Sequence, residues 1–218
     1  MGRFDWYRRS TWDDSDREEF EARLKRCRYA GSKAQYLRIQ AHHLAEVGLH
    51  TPAIELLDRL LRDFPDRGET AMSRLQKAGS LASLGELSAA IEEFRAALQA
   101  EREYPNVRTL AALDFGWFIV EKHLVDLFDE AADVLKEFEN KQFGTAFPVV
   151  SYRVCAIQSI LADARGDRAA AGDYARRALV EAAKTHSGYR YHAKTGLVES
   201  RPDWMEKRLT SLADESIR

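Results

Sequence analysis

Apolar residues recur along most of the chain at the three- and four-residue spacing of an α-helix. Phe20, Leu24 and Cys27, for example, fall at i, i+4 and i+7, so that one helix face carries all three. Ser15 opens an S-x-x-E pattern just upstream, in which the two side chains bond each other's backbone N–H groups. The pattern predicts a first helix over about residues 15–29.

Two further helices are predicted from the residues at their ends. Residues 33–47 form one of them, and Gly48 ends it because glycine adopts a left-handed backbone without steric cost. Thr51 and Pro52 begin the next helix, since a proline in the first turn needs no amide donor. Pro65 ends that helix.

A pattern of six small or apolar positions occurs twice, with the same spacing of 3, 4, 5, 4 and 3 residues. Its small residues allow two helices to approach closely, and its glycine makes the turn between them. The pattern therefore predicts two helical hairpins. Its members are Ala41, Leu44, Gly48, Ala53, Leu57 and Leu60 in the first copy, and Ala78, Leu81, Gly85, Ala90, Phe94 and Ala97 in the second.

This spacing resembles the tetratricopeptide repeat, a helical hairpin with a period of about 34 residues. Over about residues 34–184 two more copies are visible, a weaker third with Asp126 at the turn and a fourth with Gly166. The predicted turns are then 37, 41 and 40 residues apart. The other matching positions are Ala53, Ala90, Phe94, Ala97 and Pro65, then Ala131, Leu135 and Phe138 in the third copy, and Ala171, Tyr174 and Ala178 in the fourth.

The resemblance implies an all-α fold, a right-handed solenoid of about four tetratricopeptide-like hairpins with capping segments at both ends. Residues 1–33 are predicted to form an N-terminal segment and cap helix, and residues 34–184 the array. Residues 185–218 are predicted to form a C-terminal cap that closes with a short helix over about residues 202–212. The N-terminal segment is rich in aromatic side chains, namely Phe4, Trp6, Tyr7 and Trp12.

Composition excludes several classes of protein. The chain of 218 residues has 33 Lys and Arg against 35 Asp and Glu, so it lacks the basic excess of a bulk nucleic-acid binder. We find no secretory signal and no apolar segment of bilayer length, and we therefore expect a cytoplasmic protein without membrane contact. A local basic excess in residues 1–40 and 165–201 leaves an RNA or acidic partner as an alternative to a solvated surface.

Motifs for catalysis, metal binding and phosphate binding are missing from the sequence, including C-x-x-C, H-E-x-x-H, glycine-rich phosphate loops and G-x-S-x-G. His42 and His43 are adjacent and point about 100° apart on a helix, which disfavours a shared metal ion. Cys27 and Cys155 fall on apolar helix faces and are interpreted as buried structural thiols. We expect no enzyme activity, no metal and no cofactor.

The resemblance also implies that the first helix of each repeat lines a groove for an extended peptide. Trp117 would be an aromatic anchor there, with packing in the core as the competing interpretation. Arg38 and Arg153 would bind carboxylates. The groove positions implied by the family are Gln35, Arg38, His42, Met72, Gln76, Trp117, His123 and Arg153.

A dense run of stacking and hydrogen-bonding side chains follows the last predicted repeat helix. The run consists of Tyr189, Arg190, Tyr191 and His192. These residues either line the mouth of the groove or pack as a cap on the last repeat, and the cap is the preferred interpretation.

The expected function is a non-catalytic interaction module, an adaptor or scaffold that holds a peptide or protein segment. The alternative is a regulatory or sensory helical-repeat protein that binds a small ligand or, less favourably, a nucleic acid. An enzyme built on the groove is a third hypothesis, which rests only on the histidines and on residues 189–192. No motif identifies the partner, and a homo-oligomer formed through an uncapped end stays open.

Overall fold

The computed structural model describes residues 5–140 and 147–215. Within these ranges the protein is all-α, which confirms the predicted class, with ten α-helices and no strand. None of the described helices is long and apolar enough to cross a bilayer. Phe4, predicted to belong to the N-terminal cap, lies outside the described residues. The helices are α1 (Asp14–Arg26), α2 (Ala30–Glu46), α3 (His50–Asp63), α4 (Arg67–Ser83), α5 (Leu87–Glu103), α6 (Ala111–Glu121), α7 (Phe128–Asn140), α8 (Pro148–Ala164), α9 (Arg168–Ala182) and α10 (Asp203–Glu215).

The chain divides into two compact units, which are described separately. The N-terminal unit comprises Met1–Ala111 and contains α1 to α5. The C-terminal unit comprises Ala112–Arg218 and contains α6 to α10. The division falls at the start of α6, where no linker composition marks it in the sequence.

The first helix begins with a capping box, but not the predicted one. The carboxylate of Asp13 accepts the N–H of Asp16 at 2.8 Å, and the Asp16 carboxylate accepts the N–H of Asp13 at 3.4 Å. Asp16 is nearly buried and also pairs with the guanidinium of Arg9. A hydrogen bond from Thr11, with those from Asp13 and Arg9, lowers the pKa of Asp16 despite its burial. The helix therefore starts at Asp14, and the cap predicted at Ser15 is wrong.

The same helix ends at Arg26, earlier than predicted, and this changes the environment of the first cysteine. Cys27 follows the helix, is half-exposed, and lies with its Sγ 3.7 Å from the carbonyl oxygen of Tyr29. The expectation of a buried thiol is wrong for Cys27. It is confirmed for Cys155, which is 4% exposed within α8.

Four tight turns share one backbone geometry. They follow α2, α4, α6 and α8, and each contains one residue with positive φ. The N–H after that residue donates to the carbonyl oxygen five positions earlier, which is the bond of a Schellman motif. The turn residues and φ values are Gly48 (81°), Gly85 (82°), His123 (52°) and Gly166 (78°), and the bonds are Leu49 to Leu44 (2.9 Å), Glu86 to Leu81 (3.0 Å), Leu124 to Ile119 (3.0 Å) and Asp167 to Ala162 (3.0 Å).

The third of these turns corrects the sequence prediction. Asp126, predicted to take the place of the turn glycine, lies instead in the short 3-10 helix Val125–Leu127. His123 takes the left-handed position. The turns are therefore 37, 38 and 43 residues apart, not 37, 41 and 40.

In the N-terminal unit the segment before α1 packs against α1 and α2. The Trp6 ring lies 5.4 Å from that of Phe20 and 4.9 Å from that of Tyr36, measured between ring centroids. The Arg9 N–H donates to Gln40 Oε1 at 3.0 Å, and Gln40 Nε2 donates to the Arg9 carbonyl oxygen at 2.9 Å. This exchange satisfies the amide of Gln40, which is completely buried.

Small residues lie where neighbouring helices meet. In the N-terminal unit α2 packs on α3 and α4 on α5, with Ala53, Ala90 and Ala97 fully buried. In the C-terminal unit α8 packs on α9, and α9 on α10. Gly116 of α6 leaves room for the side chains of Ile157 and Leu135, each 3.4 Å from where its Cβ would lie. These close approaches follow from the absence of larger side chains at the contacts.

Candidate functional site

Five of the predicted groove residues lie in the N-terminal unit. They are Gln35, Arg38 and His42 on α2, and Met72 and Gln76 on α4. Gln35 and His42 are exposed and the other three are half-buried. Arg38 donates through Nε to the carboxylate of Glu69, so that one ion pair joins α2 to α4. The positive charge of Arg38 is therefore already paired with the Glu69 carboxylate within the protein.

The two adjacent histidines of α2 share a single carboxylate. Glu46 lies 3.4 Å from His42 Nε2 and 3.1 Å from His43 Nδ1. All three side chains are solvent-accessible. Among residues 5–140 and 147–215, no group of three or more His, Cys, Asp or Glu side chains could hold a metal ion.

The C-terminal unit gathers residues from α6, α8 and α10 into what we call the Trp–Arg cluster. Its members are Asp114 and Trp117 of α6, Tyr152 and Arg153 of α8, and Trp204 of α10. The Arg153 guanidinium carbon lies 5.3 Å from the Trp117 ring centroid, and Arg153 Nη1 lies 2.8 Å from Asp114 Oδ1. The centroid of the Trp117 ring lies 6.2 Å from that of Tyr152 and 6.5 Å from that of Trp204.

The cluster is partly open to solvent. Trp117 and Trp204 are half-buried, and the side chains of Arg153 and Asp114 are 22% and 33% exposed. Trp117 is therefore neither a core residue nor a free surface residue. The guanidinium of Arg153 lies over the face of the Trp117 ring in a cation–π contact.

Two groups in the cluster have perturbed pKa values. Burial raises the pKa of the Asp114 carboxyl, and the attraction of Arg153 offsets this only in part. Burial also raises the pKa of Tyr152, against a smaller opposing effect of Arg201. The Tyr152 hydroxyl is buried and has no hydrogen-bond partner among the described residues. These groups lie in an environment that solvates charge poorly, which strengthens polar contacts made there.

His123, predicted as a groove residue, is exposed in the turn after α6. Its ring lies 6.2 Å from that of Trp204, so it borders the Trp–Arg cluster. Of the predicted groove residues, Trp117 and Arg153 are thus in contact within the cluster, and His123 contacts it through Trp204.

Residues 189–192 lie in a loop that contacts the start of α8. The Ser187 hydroxyl donates to the His192 carbonyl oxygen at 2.7 Å and closes the loop. The Tyr189 ring lies 5.3 Å from that of Phe147. Tyr191 is 81% exposed, with the Arg190 guanidinium 5.3 Å from its ring, and His192 is exposed too.

Sequence reasoning missed several members of these sites. Asp114 lies three residues before Trp117, and Glu69 three before Met72, so each shares a helix face with a predicted residue. This three-residue spacing could therefore have identified Asp114 and Glu69 from the sequence. Trp204 had no comparable signal, because its place beside Trp117 depends on how α10 packs.

Comparisons with protein-family models, with curated proteins and with solved structures find no match to this chain. The function is therefore argued from the residues themselves.

Proposed function

We propose that this protein is a non-catalytic interaction module that binds a peptide or protein segment at the Trp–Arg cluster. The observation that carries the proposal is the half-exposed stack of Arg153 on Trp117, held by Asp114 and bordered by Trp204. Tryptophan, tyrosine and arginine are the residues enriched among those that contribute most to protein–protein binding.

The cluster is ordered before any partner arrives. The ion pair with Asp114 and the contact with Trp117 fix the Arg153 side chain, so little rotamer entropy remains to be lost on binding. A guanidinium has five N–H donors, and a single carboxylate does not occupy all of them. Arg153 can therefore bind a partner's carboxylate or carbonyl group while it keeps Asp114.

We further propose that the helices form a right-handed tetratricopeptide-like solenoid of about four hairpins. The shared geometry of the turns at Gly48, Gly85, His123 and Gly166 supports this proposal. Equivalent turns connect the two helices of each pair in the same way, which is a feature of repeat architectures. In such an array the predicted groove residues belong to the first helix of each pair.

A peptide library displayed on phage tests the proposed binding site. We expect the 218-residue chain to select peptides with a common motif. Trp117→Ala should weaken their binding by about thirtyfold and Arg153→Gln by about tenfold, as for residues central to an interface. Glutamine is chosen because a charge reversal at Arg153 would place two carboxylates together beside Asp114. Affinity is measured by titration of a selected peptide.

Arg165→Gln is the matched control. Arg165 belongs to the same unit, pairs with Asp129 at 2.8 Å and lies outside the cluster. The Arg165→Gln substitution should leave the affinity for the selected peptide unchanged. Circular dichroism should show that all three variants are folded. Selected peptides that bind the folded Trp117→Ala and Arg153→Gln proteins as tightly as wild type would exclude the cluster as the binding site.

A further inference from the structure

The C-terminal unit also contains a cavity that is separate from the Trp–Arg cluster. A cavity of about 380 Å³ opens between α7, α8 and α9. Small-molecule sites typically have volumes of roughly 300–1,000 Å³. No member of the Trp–Arg cluster lines the cavity.

One side of the cavity is apolar. Val154 and Cys155 of α8 are 2% and 4% exposed, and Val180 of α9 is 62% exposed. Burial raises the pKa of the Cys155 thiol, so it stays protonated at neutral pH. A protonated buried thiol is a weak nucleophile and behaves as a small apolar group. Val180 therefore supplies the exposed apolar surface of the cavity, while Val154 and Cys155 form part of its buried wall.

Two of the four charged residues that line the cavity are already satisfied within the protein. Arg176 pairs with Asp173 and donates to the Ala213 carbonyl oxygen at 3.3 Å. Glu181 accepts from Lys184 at 2.7 Å. Neither needs a ligand to complete its interactions.

The other two, Arg177 and Glu139, remain available. Neither belongs to an ion pair within the described part of the chain. The Arg177 guanidinium carbon lies 5.4 Å from the Tyr174 ring centroid, and Glu139 lies 3.5 Å from the amide nitrogen of Gln158, a long hydrogen bond. A purely anionic ligand would be repelled by Glu139, and a purely cationic one by Arg177. A ligand with both charges complements both residues.

We propose that this cavity binds a free α-amino acid with an apolar side chain. Arg177 pairs with the carboxylate of the ligand, and Glu139 pairs with its ammonium group. The apolar side chain lies against Val154, Cys155 and Val180. This ligand matches both the charge and the apolar surface of the cavity.

Calorimetric titration of the full chain with L-leucine tests the proposal. We expect saturable binding at millimolar or lower concentration. The two matched analogues, 4-methylpentanoate without the ammonium group and 3-methylbutylamine without the carboxylate, should each bind about tenfold more weakly or worse, since each loses a charge-assisted hydrogen bond.

Arg177→Gln and Glu139→Gln should each weaken L-leucine binding by about tenfold. Arg165→Gln, an exposed arginine of the same unit that does not line the cavity, should not change it. Melting curves verify that every variant is folded. An absence of saturable L-leucine binding, or binding that both cavity variants leave unchanged, would overturn the proposal.

Discussion

Gly48, Gly85 and Gly166 all have φ near +80°, and no atom lies within 4 Å of where a Cβ would be placed on any of them. Glycine is favoured at these positions by backbone conformation and not by lack of space. His123 adopts the same turn with a φ of 52°. Histidine is among the residues enriched in the left-handed region, which explains why the turn after α6 needs no glycine.

Alanine substitutions at two glycines test whether backbone conformation, and not lack of space, favours glycine in the turns. Gly85→Ala should lower the free energy of unfolding by about 1–2 kcal/mol, because alanine is strained at positive φ. Gly79→Ala is the matched control inside α4, where nothing lies within 4 Å of the new Cβ. It should raise the free energy of unfolding by about 0.5–1 kcal/mol. Urea denaturation measures the free energy of unfolding of both variants. If the two substitutions changed it in the same direction, backbone conformation would not explain the glycine at position 85.

Helices of the N-terminal unit are joined by a partly buried network of charges. Lys77 of α4 lies 2.6 Å from Asp58 of α3 and 2.8 Å from Glu93 of α5. Arg74 of α4 also pairs with Glu93, at 2.8 Å. The Lys77 side chain is only 17% exposed, so its charge is incompletely hydrated and depends on both carboxylates. The network therefore links α3, α4 and α5.

The pKa of Lys77 predicts how this link depends on pH. Burial lowers the pKa of Lys77, but the hydrogen bonds that its ammonium donates to Asp58 and Glu93, with their negative charges, outweigh burial, and the net pKa is raised. Because the folded pKa exceeds the unfolded one, the stabilisation is complete below the ordinary lysine pKa of about 10.4 and is lost as the pH rises through the folded pKa. Lys77→Met should cost about 2 kcal/mol at neutral pH and progressively less in strong alkali.

Urea denaturation at neutral and alkaline pH checks this expectation. Lys136→Met, at an exposed position on α7, is the control and should change the free energy of unfolding by less than about 0.5 kcal/mol. A cost at Lys77 that does not decrease in alkali would show that lost packing of the lysine chain, and not its charge, is responsible.

At the scale of the whole molecule, each of the two compact units has its own buried core. In the N-terminal unit, Phe20, Leu37, Leu44 and Leu57 are at most 1% exposed. In the C-terminal unit the same holds for Ile119, Leu135, Ile157 and Leu161. A chain segment with its own hydrophobic core meets the main physical requirement for folding alone.

A fragment of residues 1–111 should therefore be helical by circular dichroism and unfold cooperatively in urea. Leu57→Ala should lower its free energy of unfolding by about 3 kcal/mol, since it removes a fully buried side chain from the core. Glu55→Ala, an exposed position of the same helix, should have little effect. A fragment that is unstructured or unfolds without cooperativity would show that the N-terminal unit depends on the rest of the chain.

Local sequence patterns predicted the helical class, the bounds of α3 to within two residues and three of the four left-handed turns. Periodicity identifies a helix face within one helix, and glycine marks a left-handed residue, so these features depend on neighbours along the chain. The same reasoning placed the turn after α6 at Asp126, because it treated glycine as the main signal and did not consider His123. The first cap was expected at Ser15 because of the S-x-x-E pattern, whereas Asp13 and Asp16 form the capping box.

The sequence by itself thus determined the all-α class and the helix faces on which Arg38, Trp117 and Arg153 lie. Only the tertiary structure decided their partners: Glu69 for Arg38, and Asp114 with Trp117 for Arg153. It also decided that Trp204 lies beside Trp117, and that an open cavity lies between α7, α8 and α9. The physical reason is that helix propensity and periodicity act over a few residues, whereas these contacts join segments tens of residues apart. Their geometry is set by how the helices pack.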